Sequence, residues 1–212
     1  MGISAAELPI DKNGNVYHLG IQPEELAHKI ILVGDPERVP FFSQQLEHIE
    51  VKRSNREMVT HTGDKKGKRI SIISTGMGTD NIDIVLNELD ALVNINLKQR
   101  CPKEHHTTLD LIRIGTSGIL QGDFAMNGFI ASHCSIGLDG LMHFYEREDP
   151  MPELVSNFCT QTGWQPPLPL PYSAMGDQTL LKKIAGNYRQ GITITAPGFY
   201  GPQCRMLRLP VN

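Results

Sequence analysis

The sequence predicts a layered α/β fold built on a mixed sheet, and three features carry that prediction. Three short apolar runs, Ile30–Val33, Ile70–Ile73 and Leu111–Ile114, each break into a glycine-containing turn. A long stretch with helical periodicity, Thr79 to Ile95, follows the second of them. Strand-like and helix-like segments alternate to the end of the chain, as they do where strands are layered against helices.

Residues 1 to 15 are polar and turn-rich and read as a mobile lead-in, whereas Val16-Tyr17-His18-Leu19-Gly20 reads as structured. Ile30–Val33 is the first strand. The segments Arg56–His61 and Arg69–Thr75 flank Gly63-Asp64-Lys65-Lys66-Gly67, two β-prone runs around a polar turn, which is a hairpin pattern. In the stretch Thr79–Ile95, residues Ile82, Val85, Leu86, Leu89, Leu92 and Val93 share one helical face, and Thr79 or Asp80 is available to cap it. Residues 97 to 108 are polar and read as a loop. Leu109–Ile114 reads as a buried strand and Gly128–Cys134 as another. Leu154, Val155, Phe158 and Cys159 predict a short helix stopped by Gly163. Pro166 to Pro171 is a connector, because proline removes donors and fixes φ. Asp177 caps a helix carrying Leu180, Leu181, Ile184 and Tyr188, and Gly191–Ala196 is the last strand. With no helix after it, one face of its sheet is expected to lie open unless a partner or more chain covers it.

The bulk composition excludes several classes. A chain of 212 residues can bury a core without disulfides or a structural metal. Its 40% hydrophobic and 20% charged content excludes a disordered chain. A net charge of −3 gives no reason to expect a nucleic-acid surface. The four cysteines form no C-x-x-C pair and read as reduced thiols. His105-His106 lies on a polar loop with no ligand at a metal spacing, so no metal site is expected. No apolar run approaches a membrane span, and Met1 to Gly14 lacks the features of a signal peptide, which leaves the cytoplasm as the default compartment.

The glycine turns suggest anion chemistry. Gly34-Asp35-Pro36-Glu37-Arg38, Ser74-Thr75-Gly76-Met77-Gly78 and Gly115-Thr116-Ser117-Gly118 each follow an apolar run. Parallel strands present backbone N–H groups, hydroxyls and guanidinium groups in this way to a small anion at their carboxyl ends. The Gly34 N–H, Arg38, Arg113 and Thr116 supply charge-assisted donors for phosphate. Simpler readings stand beside these. Arg38 could pair with Asp35 or Glu37, Met77 could be core packing, and His18 alone reads as an ordinary histidine. Arg113 inside an apolar strand calls for a buried partner or a ligand.

These motifs carry a resemblance. Gly34–Arg38, Ser74–Gly78 and Arg113–Gly118 occur in the order seen in the nucleoside phosphorylases, and His18-Leu19-Gly20 and Asn55-Arg56-Glu57 resemble the uridine phosphorylase branch. The resemblance runs from about Val16 to Arg205. It implies a three-layer α/β/α sandwich with a mixed, partly barrel-like central sheet. It implies reversible phosphorolysis of a nucleoside to free base and (deoxy)ribose 1-phosphate, with phosphate as co-substrate and no redox cofactor or catalytic metal. Arg113, Arg38 and Thr116 inherit the catalytic role, and Gly34, Arg38, Arg56, Arg113, Gly115 and Thr116 the binding of phosphate. His18, Met77, Phe199, Gln203 and Arg205 inherit nucleoside binding, the last three at the base. Arg56 and His18 are implied to reach into a neighbouring subunit's site, in a homodimer or a hexamer of dimers. Glu57 and Asn81 fall near a monovalent-cation position of the family. The family continues to a Glu-Met-Glu segment that holds the ribose hydroxyls. This chain has none, so it is read as one domain, residues 1–212, truncated at its C-terminus.

The leading expectation is therefore a pyrimidine nucleoside phosphorylase. A purine nucleoside phosphorylase, a nucleosidase that uses water, and a non-catalytic nucleoside- or phosphate-binding subunit are the alternatives.

Overall fold

The computed structural model describes residues 2–211. The chain forms two compact units, divided between Thr116 and Ser117.

The first unit runs β1 (Lys29–Val33), α1 (Arg38–Ser43), β2 (His48–Asn55), β3 (Met58–Lys65), β4 (Lys68–Ser74), α2 (Thr79–Asn94), the short strands β5 (Ile95–Asn96) and β6 (Cys101–Pro102), and β7 (Asp110–Ile114). Five of these strands form one sheet in the order β2-β3-β4-β1-β7. β1 is parallel to both β4 and β7, while β2-β3 and β3-β4 are antiparallel, so the sheet is mixed. The side-chain period of two sends Ile30 and Leu32 to one face, where they pack with Val85, Leu89 and Leu92 of α2. Ile31 and Val33 go to the other face, with Val39 and Phe42 of α1. This is helix, sheet, helix: the expected three layers. The partly barrel-like closure is not detected among the described residues: the five-stranded sheet is open, with β2 and β7 as its edges.

Several boundaries differ from expectation for local reasons. The β3-β4 turn is only Lys66-Gly67, both at positive φ (50° and 70°), as a two-residue hairpin requires. Gly63 is inside β3, where a Cβ would come within 2.0 Å of the His48 carbonyl oxygen, so glycine is needed there for clearance. Neither Thr79 nor Asp80 caps α2; the cap residue is Gly78, without a side-chain bond. Residues 2–15, expected to be a mobile lead-in, are anchored: Arg100 Nη1 donates to the Ser4 and Leu8 carbonyls, and Asp11 accepts from the amides of Asn13 and Asn15.

The second unit runs β8 (Ile130–Gly137), α3 (Pro152–Thr162), β9 (Tyr172–Met175), α4 (Gln178–Ala185) and β10 (Arg189–Thr195), with strand order β10-β8-β9. Gly163, at φ 68°, ends α3. Asp177 caps α4, its Oδ1 accepting from the Leu180 amide at 2.7 Å. Tyr188 lies beyond the end of α4. Ile192 on the edge strand β10 is 43% exposed, in keeping with the open face expected there. All four cysteines are free thiols.

Candidate functional site

The three glycine turns converge because their strands are neighbours in register. Val33 pairs with Ser74 on one side and with Ile114 on the other. Gly34, Thr75 and Gly115 therefore leave the sheet side by side, at the carboxyl edge of β4-β1-β7. The helices that follow β1 and β4 pack on opposite faces of the sheet. Adjacent loops that part in this way open a crevice between them, the usual ligand position of a parallel sheet.

Within this edge each turn is tied to its neighbour. The Thr75 amide donates to the Val33 carbonyl at 2.8 Å. A Cβ on Gly34 would lie 3.7 Å from both the Gly76 oxygen and Arg113 Nη2, and a Cβ on Gly115 would come within 2.8 Å of Arg113 Nη1. The Arg113 guanidinium thus folds between the β1 and β7 turns, over a glycine that leaves it room. Arg113 is exposed at the sheet edge, which corrects the expectation of a buried strand charge. Asp35 shapes the turn after β1, its Oδ1 accepting from the Glu37 amide at 2.9 Å while its carbonyl accepts from the Arg38 amide at 3.1 Å. Arg38 forms no ion pair with Asp35 or Glu37, and neither Arg38 nor Arg113 has a carboxylate partner among the described residues. Thr116 is exposed at the end of the first unit.

Met77 is 90% exposed, which removes the core-packing reading. Glu57 and Asn81 flank Gly76, with Asn81 Nδ2 donating to Glu57 Oε1 at 3.2 Å and to the Met77 carbonyl at 3.0 Å. His18 and Arg56 form a second group in the same unit. Arg56, at φ 54°, sits over the Tyr17 ring at 5.7 Å, and the Tyr17 and His18 rings meet edge-on. Asn55 Nδ2 donates to the carbonyls of Tyr17 and His18.

Sequence reasoning missed Glu88. It is buried on α2, and its carboxylate accepts from the His18 amide, the Leu19 amide and His18 Nδ1. The signal was present: position 88 lies on the apolar stripe of Val85, Leu89 and Leu92, where an acid needs partners.

The three residues assigned to the base come together in the second unit. The Arg205 guanidinium lies 4.3 Å from the centre of the Phe199 ring, and its Nε donates to Gln203 Oε1 at 3.3 Å. Gln203 Nε2 donates to the Gly198 carbonyl at 3.1 Å, and the Arg205 amide closes the turn onto the Tyr200 carbonyl. A Cβ on Gly118 would lie 3.8 Å from Arg205 Nη2.

A separate cavity of about 530 Å³ lies at the opposite edge of the first sheet, lined by Pro23, Leu26, His28, Lys29, Lys68 and Arg69. It is at the amino ends of β1 and β4 and takes no part in the glycine-turn site.

Residues 28–210 match the Phosphorylase superfamily. The chain belongs to this superfamily. It is 32% identical to a uridine phosphorylase of Thermococcus kodakarensis over 143 residues, 68% of this chain and 47% of the relative. It is 37% identical to a DeoD-type purine nucleoside phosphorylase of Alkaliphilus metalliredigens over 114 residues, 53% of this chain and 43% of that protein. The matched parts thus span about half the length of these curated relatives. Among solved structures, a Trypanosoma brucei nucleoside phosphorylase described as showing uridine phosphorylase activity superposes with a TM-score of 0.84 at 29% identity. That match covers 95% of this chain and 72% of the trypanosomal one. A uridine phosphorylase of Phytophthora capsici shares the fold, with a TM-score of 0.64 at 22% identity. No helix among the described residues is long and apolar enough to cross a membrane.

Proposed function

We propose that the protein carries out phosphorolysis of a pyrimidine nucleoside, uridine, to uracil and ribose 1-phosphate. The observation that carries this reading is the Arg113 guanidinium, without a carboxylate partner among the described residues and folded between the β1 and β7 glycine turns. A tetrahedral anion there meets Arg113, Arg38, the Thr116 hydroxyl and the amides of Gly34 and Gly115. Each charge-assisted bond contributes about 1.5–3 kcal/mol. A phosphate oxygen bonds to C1′ as the C1′–N1 bond breaks, and the bonding pair leaves with the base. Gln203 and Arg205 stabilise the negative charge that spreads over the uracil oxygens, with Phe199 against the ring and Met77 against the sugar. Catalysis by this set is positioning and electrostatics rather than covalent chemistry.

A second copy of the chain supplies Arg56 to the phosphate and His18 to the ribose 5′-hydroxyl, in a homodimer or a hexamer of dimers. Glu57 and Asn81 are the candidates for a monovalent cation. The proposed compartment is the cytoplasm.

The test is uracil release from uridine with and without phosphate. Phosphate-dependent release supports the reading, and equal release in both overturns it in favour of a nucleosidase. Inosine turnover above uridine turnover supports instead a purine nucleoside, the reading that the DeoD-type relatives favour. Calorimetric binding of uracil or phosphate without turnover would identify a non-catalytic binding subunit.

A further inference from the structure

We propose that Glu88 is a positioning residue that sets the tautomer of His18, so that the protein selects nucleosides whose 5′ group donates a hydrogen bond. This rests on the reading that His18 meets the ribose.

The geometry is specific. Glu88 is buried, and a buried carboxylate is costly unless its lone pairs are taken. Its Oε1 accepts from the His18 amide at 3.0 Å and from His18 Nδ1 at 2.7 Å, and its Oε2 accepts from the Leu19 amide at 2.8 Å. The backbone of this loop is held from the other side by Asn55 and anchored by the fully buried Val16, Leu19 and Ile21. A carboxylate only accepts, so Nδ1 must carry the proton. In the neutral ring Nε2 then presents a bare lone pair. No partner for Nε2 is present among the described residues, and the His18 side chain is 27% exposed.

An acceptor at that position has a definite chemistry. A 5′-hydroxyl can donate to it. A 5′-deoxy sugar offers nothing, and a 5′-phosphate dianion offers only acceptors. The pair therefore favours nucleosides over nucleotides at one atom. If Glu88 merely stapled the loop, its removal would weaken all substrates alike.

Two measurements test the proposal. Nitrogen-15 spectra of histidine-labelled protein at neutral pH, with His18 assigned through His18→Gln, report the tautomer without any turnover. Protonated Nδ1 with unprotonated Nε2 is expected, and the reverse overturns the proposal. Glu88→Leu, which removes the acceptor, should reduce the preference for uridine over 5′-deoxyuridine, measured as the ratio of kcat/KM values, by about 10-fold or more, since sites built around a substrate hydroxyl discriminate by at least that much. If Glu88→Leu does not fold, Glu88→Asp withdraws the carboxylate while keeping its charge, and the same fall is expected. An unchanged ratio overturns the positioning role and leaves phosphorolysis intact. Absence of phosphorolysis by the unaltered protein with either nucleoside overturns the nucleoside reading and the selectivity with it, while the tautomer stands or falls on the spectrum alone.

Discussion

The two compact units hold their candidate residues by different means. In the first, Gly34, Thr75 and Gly115 are placed by strand register, and the strands beneath them carry fully buried side chains such as Val33 and Ile73. In the second, Phe199, Gln203 and Arg205 are held mainly by one another, on a turn whose large side chains stay exposed. Position set by a packed sheet is rigid, because moving one turn moves the register of its neighbours. Position set by a stacked cation and two side-chain hydrogen bonds costs little to rearrange.

The largest expected effect tests the packing difference. Leu89→Ala on α2 removes a fully buried side chain and should cost about 2–5 kcal/mol in urea unfolding. Ile192→Ala on β10 should change stability by about 0.5 kcal/mol or less, as at other exposed positions. Equal costs would break the comparison. Next, Arg113→Ala should raise the phosphate KM by about 10-fold or more, the loss of one charge-assisted contact. Arg205→Ala should instead act on the nucleoside KM. Steady-state kinetics with each substrate varied separate the two, and a common effect would mean that the anion and base groups are not distinct.

A smaller effect distinguishes the helices. Asp177→Ala should cost about 1 kcal/mol and speed amide exchange in the first turn of α4, because its carboxylate satisfies the Leu180 amide. Thr79→Ala should leave the start of α2 unaffected, since no side chain caps it. The smallest effect is a pH dependence confined to the first unit. Burial, helped by Lys52, holds His61 below its ordinary value of 6.5. The unfolded chain then binds the proton more readily, so stability is full above pH 6.5 and falls as pH drops from there towards the lowered folded value. His61→Gln should flatten that part of the denaturation midpoint against pH.

Much of this was legible because local chemistry agreed with the fold. The apolar runs became β1, β4 and β7, the helical stripe became α2, and Asp177 capped α4 as its position suggested. β2 was not legible, because an edge strand with charged residues on its exposed side carries little hydrophobic alternation. Gly63 read as a turn residue, whereas it is a strand residue opposite a bulge. Arg113 read as buried, because composition cannot tell an edge strand from a central one.

Residue order alone was enough for β1, β4, β7 and α2, the three glycine turns and the family, since each depends on spacing within a few residues of chain. Side-by-side register, the exposure of Arg113, the pairing of Glu88 with His18 and the stack of Arg205 on Phe199 were decided by folding. The register and the Glu88–His18 pairing join positions far apart in the chain, 33 with 114 and 18 with 88. Contacts of that kind exist only once the core has brought the strands and helices together, because until then the entropy of the intervening chain opposes them.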